Sequence, residues 1–157
     1  MTVAVWRIAV EAPAYTANDL SGMGAKITGG RWNSVGVPVL YCATTIALAT
    51  LETVHTLRSG GLPFNRYLER IELPDATWNA RQVLDPPPGG WDTIPAGMTS
   101  RGAGDAWLAS LASALLLVPS VIVPEECNVL INPKHPDAAG VHARTLKRWH
   151  YDPRFFS

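Results

Sequence analysis

The chain has 157 residues, of which 13 are Lys or Arg and 13 are Asp or Glu, so its formal net charge is zero with His neutral. Nucleic-acid-binding proteins usually carry excess positive charge to neutralise phosphates, so we expect no direct binding of DNA or RNA. This length is typical of one domain that buries roughly two-thirds of its unfolded surface, and we expect a single domain over 1–157.

Charged residues make up 17% of the chain, below the roughly 25% of an average soluble domain. So sparse a surface charge suits a protein that binds a protein partner. No basic N-terminal stretch precedes a long apolar one, and no apolar run is long enough to cross a bilayer, so we expect a cytoplasmic protein without membrane contact. Cys42 and Cys127 form no Cys/His cluster, which favours buried free thiols over a metal site.

The first half of the chain predicts two strands and a helix. Apolar and polar residues alternate around Trp6 and Ile8, which indicates an opening strand. The glycine-rich segment 21–36 is predicted to contain only loop and turns. A short buried strand follows at 38–42, and Thr44 or Thr45 can cap a helix that runs to about residue 58 and ends at Gly60.

The second half predicts short strands separated by loops and one helix. In chain order these are a strand at 66–73 ended by Pro74, a Pro/Gly-rich loop at 85–97, a helix at 104–113, and two or three strands within 114–124 and 127–133 broken at Pro119 and Pro124. Strands and helices alternate without a strict βαβ rhythm. We therefore predict an α+β fold with mixed or antiparallel sheets and flanking short helices.

Common catalytic motifs are absent from the sequence. The segment GMGAKITGG lacks the Gly-Lys-Ser/Thr of a phosphate-binding loop, and it precedes a strand, whereas a dinucleotide-binding fingerprint follows one. No GxSxG or HExxH occurs. His135, His142 and His150 lack the spacing of a helical ligand pair, so we expect no metal.

Four segments place polar residues among apolar ones, where burial is costly unless the residue has a partner or a function. These segments contain GGRWN, VLYC, the helix that bears Glu52, and VPSVIVPEECNVLINP. Together they resemble the RES domain, the toxin of bacterial RES-Xre toxin–antitoxin pairs, named for an Arg, a Glu and a Ser that match Arg31, Glu52 and Ser120. The resemblance runs from WRI near the start to the terminal YDPRF.

This resemblance implies a fold similar to that of the ADP-ribosyltransferase toxins and the use of NAD+ as a substrate. It also implies an Xre-like helix-turn-helix antitoxin that covers the NAD+ cleft. Cleavage of the bond between nicotinamide and ribose develops positive charge on the sugar, as in glycoside hydrolysis. A carboxylate beside that sugar stabilises this charge more than it stabilises the ground state, and we assign the role to Glu52.

The resemblance implies that Arg31 and Ser120 are catalytic as well as substrate-binding residues, and that the remaining candidates bind NAD+. Arg31 follows two glycines and has a planar guanidinium suited to the pyrophosphate or the nicotinamide ribose. Tyr41 can stack on the nicotinamide ring. Ser120 can hold Glu52 or a ribose oxygen, with a purely structural hydroxyl as the alternative. The weaker candidates are His55, one turn after Glu52, and Lys26, as a phosphate contact.

Two asparagines, Asn128 and Asn132, are expected to stabilise loop geometry rather than touch substrate. The acceptor of ADP-ribose stays open among a protein side chain, phosphate and water. A nonenzymatic module that binds a helix-turn-helix antitoxin is the alternative function. A serine hydrolase based on Ser120 is disfavoured because the sequence has neither the elbow motif nor a suitable His/Asp pair.

Overall fold

The structure, a computed structural model, describes residues 1–54 and 64–156, and these form one seven-stranded mixed sheet with short flanking helices. The strands are β1 (Thr2–Val10), β2 (Leu40–Ala43), β3 (Arg66–Pro74), β4 (Gln82–Val83), β5 (Leu115–Pro119), β6 (Cys127–Ile131) and β7 (His142–Arg148). The helices are α1 (Met23–Thr28), α2 (Ile46–Val54), α3 (Asp75–Asn79) and α4 (Met98–Ser110), with 3-10 turns at Pro136–Gly140 and Pro153–Phe156. The predicted α+β class is confirmed.

The strand order in the sheet is β4-β5-β6-β2-β1-β3-β7. β4 and β5 run parallel, and each other neighbouring pair is antiparallel. The short strand β2 lies between β6 and β1, and it pairs with β1 where Trp6 faces Ala43. β2 therefore joins the antiparallel strands β1, β3 and β7 to the β4–β5–β6 part of the sheet.

Helices cover one face of the sheet around β2. Alternation places Tyr41 and Ala43 of β2 on the same face as Leu130 of β6 and Leu116 of β5. We call this the α2 face, because Leu48 of α2 packs there in one apolar cluster with Ala43. α4 packs beside it against Leu116 and Leu130. The other face carries a second apolar core that includes Val5, Ile71 and Val129.

The unbroken apolar runs of β5 and β6 follow from this layering. Leu115 and Leu116 point to opposite faces and are 0% and 4% exposed, and Leu130 and Ile131 behave in the same way. A strand that is covered on both faces loses the apolar–polar alternation of a half-exposed strand.

Three predicted elements need correction. The segment 21–36 contains the helix α1, whose flanking glycines, Gly22 and Gly29, adopt positive φ and bound it rather than exclude it. The helix predicted at 104–113 spans Met98–Ser110: it begins directly after the expected loop at 85–97, and it ends because Leu111 adopts a left-handed conformation. Residues 121–124 form bends rather than a third strand.

The remaining expectations concern the two ends of α2, the two cysteines and membrane-spanning helices. Thr45 accepts a hydrogen bond from the Leu48 N–H at 3.1 Å, so it is the cap of α2. The predicted end of that helix near residue 58 lies outside the described residues. Cys42 is a buried free thiol, whereas the free thiol of Cys127 is only half-buried. No helix among the described residues has the length and apolarity needed to cross a membrane.

Glu69 is a buried carboxylic acid on the face opposite α2. It is 0% exposed, and the Thr145 hydroxyl donates to its Oε1 at 2.8 Å, while its Oε2 has no partner among the described residues. Burial raises the pKa of Glu69 above its usual range, as does the charge of Glu11, and the Thr145 bond and the Arg7 charge only partly oppose this shift. The ionised form is therefore unfavourable in the folded chain.

We predict that Glu69→Gln stabilises the fold increasingly as the pH rises. The folded chain binds the Glu69 proton more tightly than the unfolded chain does. The stability that protonated Glu69 contributes to the wild-type fold is therefore complete below about pH 4 and is lost as the pH rises through the raised pKa. Gln keeps an oxygen that can accept from Thr145 but does not ionise. Urea denaturation from pH 4 to 7 should give wild-type and Glu69→Gln curves that diverge towards neutral pH, and parallel curves would contradict the assignment.

Candidate functional site

Helix α2 carries Glu52 over the α2 face of the sheet. The helix packs through Leu48 and Ala49, which are 2% and 4% exposed. Tyr151, from the terminal YDPRF segment, packs in the same cluster, and its hydroxyl lies 2.8 Å from Thr53 Oγ1. The C-terminal segment thus contributes to holding the helix turn that bears Glu52.

The carboxylate of Glu52 receives two hydrogen bonds on one oxygen. The Ser120 hydroxyl donates to Oε1 at 2.5 Å, and the Asn128 side-chain amide donates to the same atom at 3.1 Å. We call Glu52, Ser120 and Asn128 the Glu52 group. Two donors on Oε1 restrict rotation of the carboxylate and leave Oε2 as the oxygen with which Glu52 can meet a ligand.

The end of β5 dictates the direction of the Ser120 hydroxyl. The strand ends at Pro119, and the following backbone turns so that the N–H groups of Ile122 and Val123 both donate to Ser120 Oγ at 3.1 Å. Because these donors occupy the lone pairs of the oxygen, its proton is free to point at Glu52. Ser120 is 0% exposed, so bulk water does not compete for it.

The expected role of Asn128 in loop geometry is wrong. Asn128 lies within β6, opposite Ala43 on one side and Val118 on the other, and its side chain extends to Glu52. Asn132 does act structurally, because its amide donates to the Leu108 carbonyl at 3.0 Å and its oxygen accepts from the Lys134 N–H at 3.1 Å. Asn132 precedes a Pro, which is a local turn signal. The residues around Asn128, by contrast, do not indicate that its partner is Glu52, which is distant in the chain.

The second part of the site is the turn that carries Arg31, between α1 and β2. Tyr41 of β2 holds this turn, because its hydroxyl accepts from the Trp32 N–H at 3.0 Å and donates to Asn33 Oδ1 at 2.6 Å. Gly30 permits this approach, since a Cβ there would lie 2.7 Å from the Tyr41 oxygen. Burial raises the pKa of Tyr41 above its ordinary value, so the hydroxyl stays protonated and can donate.

Asn33 is the internal brace of this turn. It is 0% exposed, and its amide nitrogen donates to the carbonyls of Ala25 and Val37, each at 2.9 Å. Its oxygen accepts the hydrogen bond from the Tyr41 hydroxyl. The RWN motif therefore combines a site arginine, a buried tryptophan and a structural asparagine, which its letters alone do not distinguish.

The loop at 85–97 holds the guanidinium of Arg31. One nitrogen, Nη1, donates to the Trp91 carbonyl at 2.8 Å and to the Thr93 carbonyl at 2.9 Å. The Trp91 ring stacks on Trp32, with ring centroids 6.1 Å apart and planes inclined by 19°. The guanidinium thus keeps its Nη2 and Nε hydrogens for a ligand, and the loop sets its direction.

Neighbouring strands bring the two parts of the site over the same face. Tyr41 and Ala43 are two residues apart on β2, a separation of about 7 Å along a strand. Tyr41 contacts the Arg31 turn, and Ala43 pairs with Asn128 of the Glu52 group. The α2 face over β2 and β6 therefore carries the Glu52 carboxylate towards one end and the Arg31 turn towards the other.

Helix α4 supports the Arg31 turn from behind. The Ser34 N–H donates to Asp105 Oδ1 at 2.9 Å, and the Ser34 hydroxyl donates to Oδ2 at 2.5 Å. Gly104 is buried against Trp32, because a Cβ at this position would lie 1.7 Å from the Trp32 carbonyl oxygen. The helix and the turn therefore touch backbone to backbone.

Of the two weaker binding candidates, the described residues include only Lys26. Lys26 lies on α1 with its side chain exposed to solvent, and no hydrogen bond or ion pair links it to Arg31 or Glu52 in the described structure. His55 lies outside the described residues. Within 1–54 and 64–156, no group of three or more His, Cys, Asp or Glu residues is placed to hold a metal ion.

Comparison with known proteins identifies the class to which this fold and site belong. The RES domain family model matches residues 4–153, so the chain belongs to the RES domain family. The chain is also similar in fold to the M. tuberculosis MbcT–MbcA toxin–antitoxin complex, with a TM-score of 0.65 and 17% identity over 94% of this chain and 85% of that one.

The chain is also similar in sequence to proteins that are named as toxins. The chain is 59% identical to a Prs ADP-ribosylating toxin of Sphingobium sp. (strain YBL2), over 98% of this chain and 97% of the relative. It is 39% identical to a Toxin Res of Yersinia enterocolitica, over 77% of this chain and 79% of the relative. A Toxin Res of Pseudomonas putida shares 39% identity over 85% of this chain and 87% of its own length.

We predict that Gly104→Ala disrupts the contact between α4 and the Arg31 turn. The added methyl group overlaps the Trp32 carbonyl, so the helix must move, at a cost of about 3 kcal/mol or more. Gly102, two residues earlier on α4, is the matched control, because a Cβ there meets nothing within 4 Å. Gly102→Ala should therefore stabilise the helix by about 0.5–1 kcal/mol. Urea denaturation of both variants measures the difference, and equal shifts would rule out the close contact.

Proposed function

We propose that this chain is the toxin of a bacterial toxin–antitoxin pair and that it cleaves NAD+ and transfers ADP-ribose to an acceptor. The observation that carries the proposal is the Glu52 group, in which a partly exposed carboxylate on the α2 face is held by two donors. The relative named an ADP-ribosylating toxin, at 59% identity over nearly the whole chain, supports the same chemistry.

In the proposed reaction, the bond between C1′ of the ribose and N1 of nicotinamide breaks, and nicotinamide leaves as a neutral ring with the electron pair. The sugar becomes electron-deficient, and the negative charge of Glu52 stabilises it. Oε2 faces the ribose, because Oε1 is occupied by Ser120 and Asn128. An acceptor oxygen or nitrogen then bonds to C1′ and loses a proton.

Arg31 binds the anionic part of the substrate in this proposal. Since the chain has no net positive charge, the pyrophosphate must be held by a few placed groups rather than by a general positive potential. The Trp91 and Thr93 carbonyls direct the guanidinium, which leaves its remaining N–H groups for phosphate or ribose oxygens. Tyr41 orders the turn through its hydroxyl, and we assign its half-buried ring to stacking on nicotinamide.

A protein partner would cover this site. Apolar side chains are exposed next to the loop that holds Arg31, with Ile94 84% exposed and Met98 81% exposed. Val35, 70% exposed, lies on the Arg31 turn itself. We assign this surface to an Xre-like helix-turn-helix antitoxin, and the toxin–antitoxin assembly of the structural neighbour supports an antitoxin as the partner.

We expect the purified chain to release nicotinamide from NAD+, and Glu52→Gln to lower the rate by roughly two to three orders of magnitude, since the charge on the sugar loses its stabilising carboxylate. Glu126→Gln is the matched control, because Glu126 is exposed on the neighbouring loop, and it should retain full activity. Mass spectrometry of free nicotinamide, with and without cell extract, measures both. Absence of release by the wild-type chain would favour a nonenzymatic antitoxin-binding module.

The fate of labelled ADP-ribose identifies the acceptor. NAD+ labelled in the adenosine moiety leaves its label on a protein if the chain modifies a protein side chain. It gives ADP-ribose if water is the acceptor and ADP-ribose 1″-phosphate if inorganic phosphate is the acceptor. The same Glu52→Gln protein should lose all three products, since each requires cleavage at C1′.

We expect Met98→Asp to weaken binding of the cognate antitoxin by about tenfold or more, because it places a charge in a surface that the partner must desolvate. Leu146→Asp is the control, since Leu146 is 43% exposed on β7 at the opposite edge of the sheet. Calorimetric titration of each folded variant with the antitoxin gives the two affinities. Equal affinities would place the antitoxin elsewhere.

A further inference from the structure

Asn128 is a polar side chain in an apolar setting. Its strand neighbours on the α2 face, Ala43 and Val118, are 1% and 0% exposed. Its nitrogen donates to Glu52, which fixes the orientation of the amide, because the opposite orientation would place its oxygen against the carboxylate. Its Oδ1 then points away and is buried without a hydrogen-bond partner among the described residues.

The stability of the fold does not account for such a residue. A buried amide oxygen without a partner costs about 1–3 kcal/mol, and this cost offsets what the single bond to Glu52 contributes. An apolar side chain of similar size would fit against Ala43 and Val118 without that cost. The contact that distinguishes Asn128 from an apolar residue is therefore the one it makes with Glu52.

This contact restricts the carboxylate in a way that Ser120 alone does not. A single donor on Oε1 leaves the carboxylate free to rotate about that hydrogen bond. A second donor from a different strand defines the plane of the carboxylate, since Ser120 follows β5 and Asn128 lies in β6. The position of Oε2 is set by that plane.

We propose that Asn128 is a positioning residue for NAD+ cleavage, which holds Glu52 so that Oε2 faces the nicotinamide ribose. This inference rests on the proposed function. Because Asn128 acts through Glu52 rather than on the substrate, its loss lowers kcat and leaves KM for NAD+ nearly unchanged. Hydrogen bonds to charged groups are worth enough that the loss should be about ten- to a hundredfold.

The test compares Asn128→Leu with Asn132→Leu. Leucine resembles asparagine in shape but has no donor, so Asn128→Leu should fold at least as stably as wild type in urea denaturation and yet show the loss of kcat. Asn132→Leu removes the two bonds to Leu108 and Lys134 and should behave oppositely, with lower stability but unchanged kcat for the folded protein. Asn128→Asp provides a second variant, in which a carboxylate oxygen replaces the donor and the loss of kcat should be at least as large.

Each outcome has one meaning. Full kcat in folded Asn128→Leu and Asn128→Asp, with an active wild type, overturns the positioning role and leaves the proposed function intact. A loss of stability in Asn128→Leu without a loss of kcat shows a structural role and also overturns it. A wild-type chain that releases no nicotinamide overturns both proposals.

Discussion

The site depends on one carboxylate oxygen, Glu52 Oε1, which accepts hydrogen bonds from Ser120, just after β5, and from Asn128, within β6. This arrangement requires that α2 lie at a fixed height over the sheet, and the apolar residues Leu48 and Ala49 provide that contact. It also requires that β5 end where it does, so that the Ser120 hydroxyl is turned towards the helix. The apolar core and the polar group therefore specify the same geometry, which holds a partly exposed side chain in place with no salt bridge among the residues that the structure describes.

The Arg31 turn is held by backbone contacts and buried polar side chains in addition to the apolar cluster around Trp32. Tyr41 and Asn33 brace the Arg31 turn, Gly104 lets α4 approach it closely, and the carbonyls of the 91–93 segment direct the guanidinium. Many parts of the chain must fold correctly before Arg31 has a defined direction. A charge-neutral chain can bind an anionic dinucleotide only through such placed groups, so this extensive bracing is consistent with the proposed substrate.

Local patterns predicted the α+β class and several of the elements, but not α3, β4 or β7. The period-two alternation, the Thr45 cap and the apolar runs at 115–118 and 129–131 are properties of neighbouring residues, so they can be seen in one sequence. Glycines were misleading in 21–36, because they bound a short helix there rather than exclude one. The helix α4 begins earlier than predicted, since residues 98–103 have little helical character of their own; Ser100 is buried and Ala103 packs against the apolar cluster around Trp32.

Long-range partners could not be predicted in this way. Asn128, Trp91, Asp105 and Tyr151 all act on residues far away in the chain, and nothing in their immediate neighbours indicates this. Arg31, Glu52 and Ser120 were identified through the resemblance to the RES domain, and β2 explains how they come together. It pairs with β6 and contacts the Arg31 turn through Tyr41.

The most direct measurement is a structure of the chain bound to a non-hydrolysable NAD+ analogue. We expect the nicotinamide ribose to lie within hydrogen-bond distance of Glu52 Oε2, with the Ser120 and Asn128 bonds to Oε1 retained and the pyrophosphate beside Arg31. The opposite face of the sheet also has a polar cavity, of about 270 Å³ and lined by Glu11, Tyr67 and Thr145 among others. An analogue bound in that cavity, or bound over the α2 face with Glu52 turned away from the ribose, would contradict the proposed site.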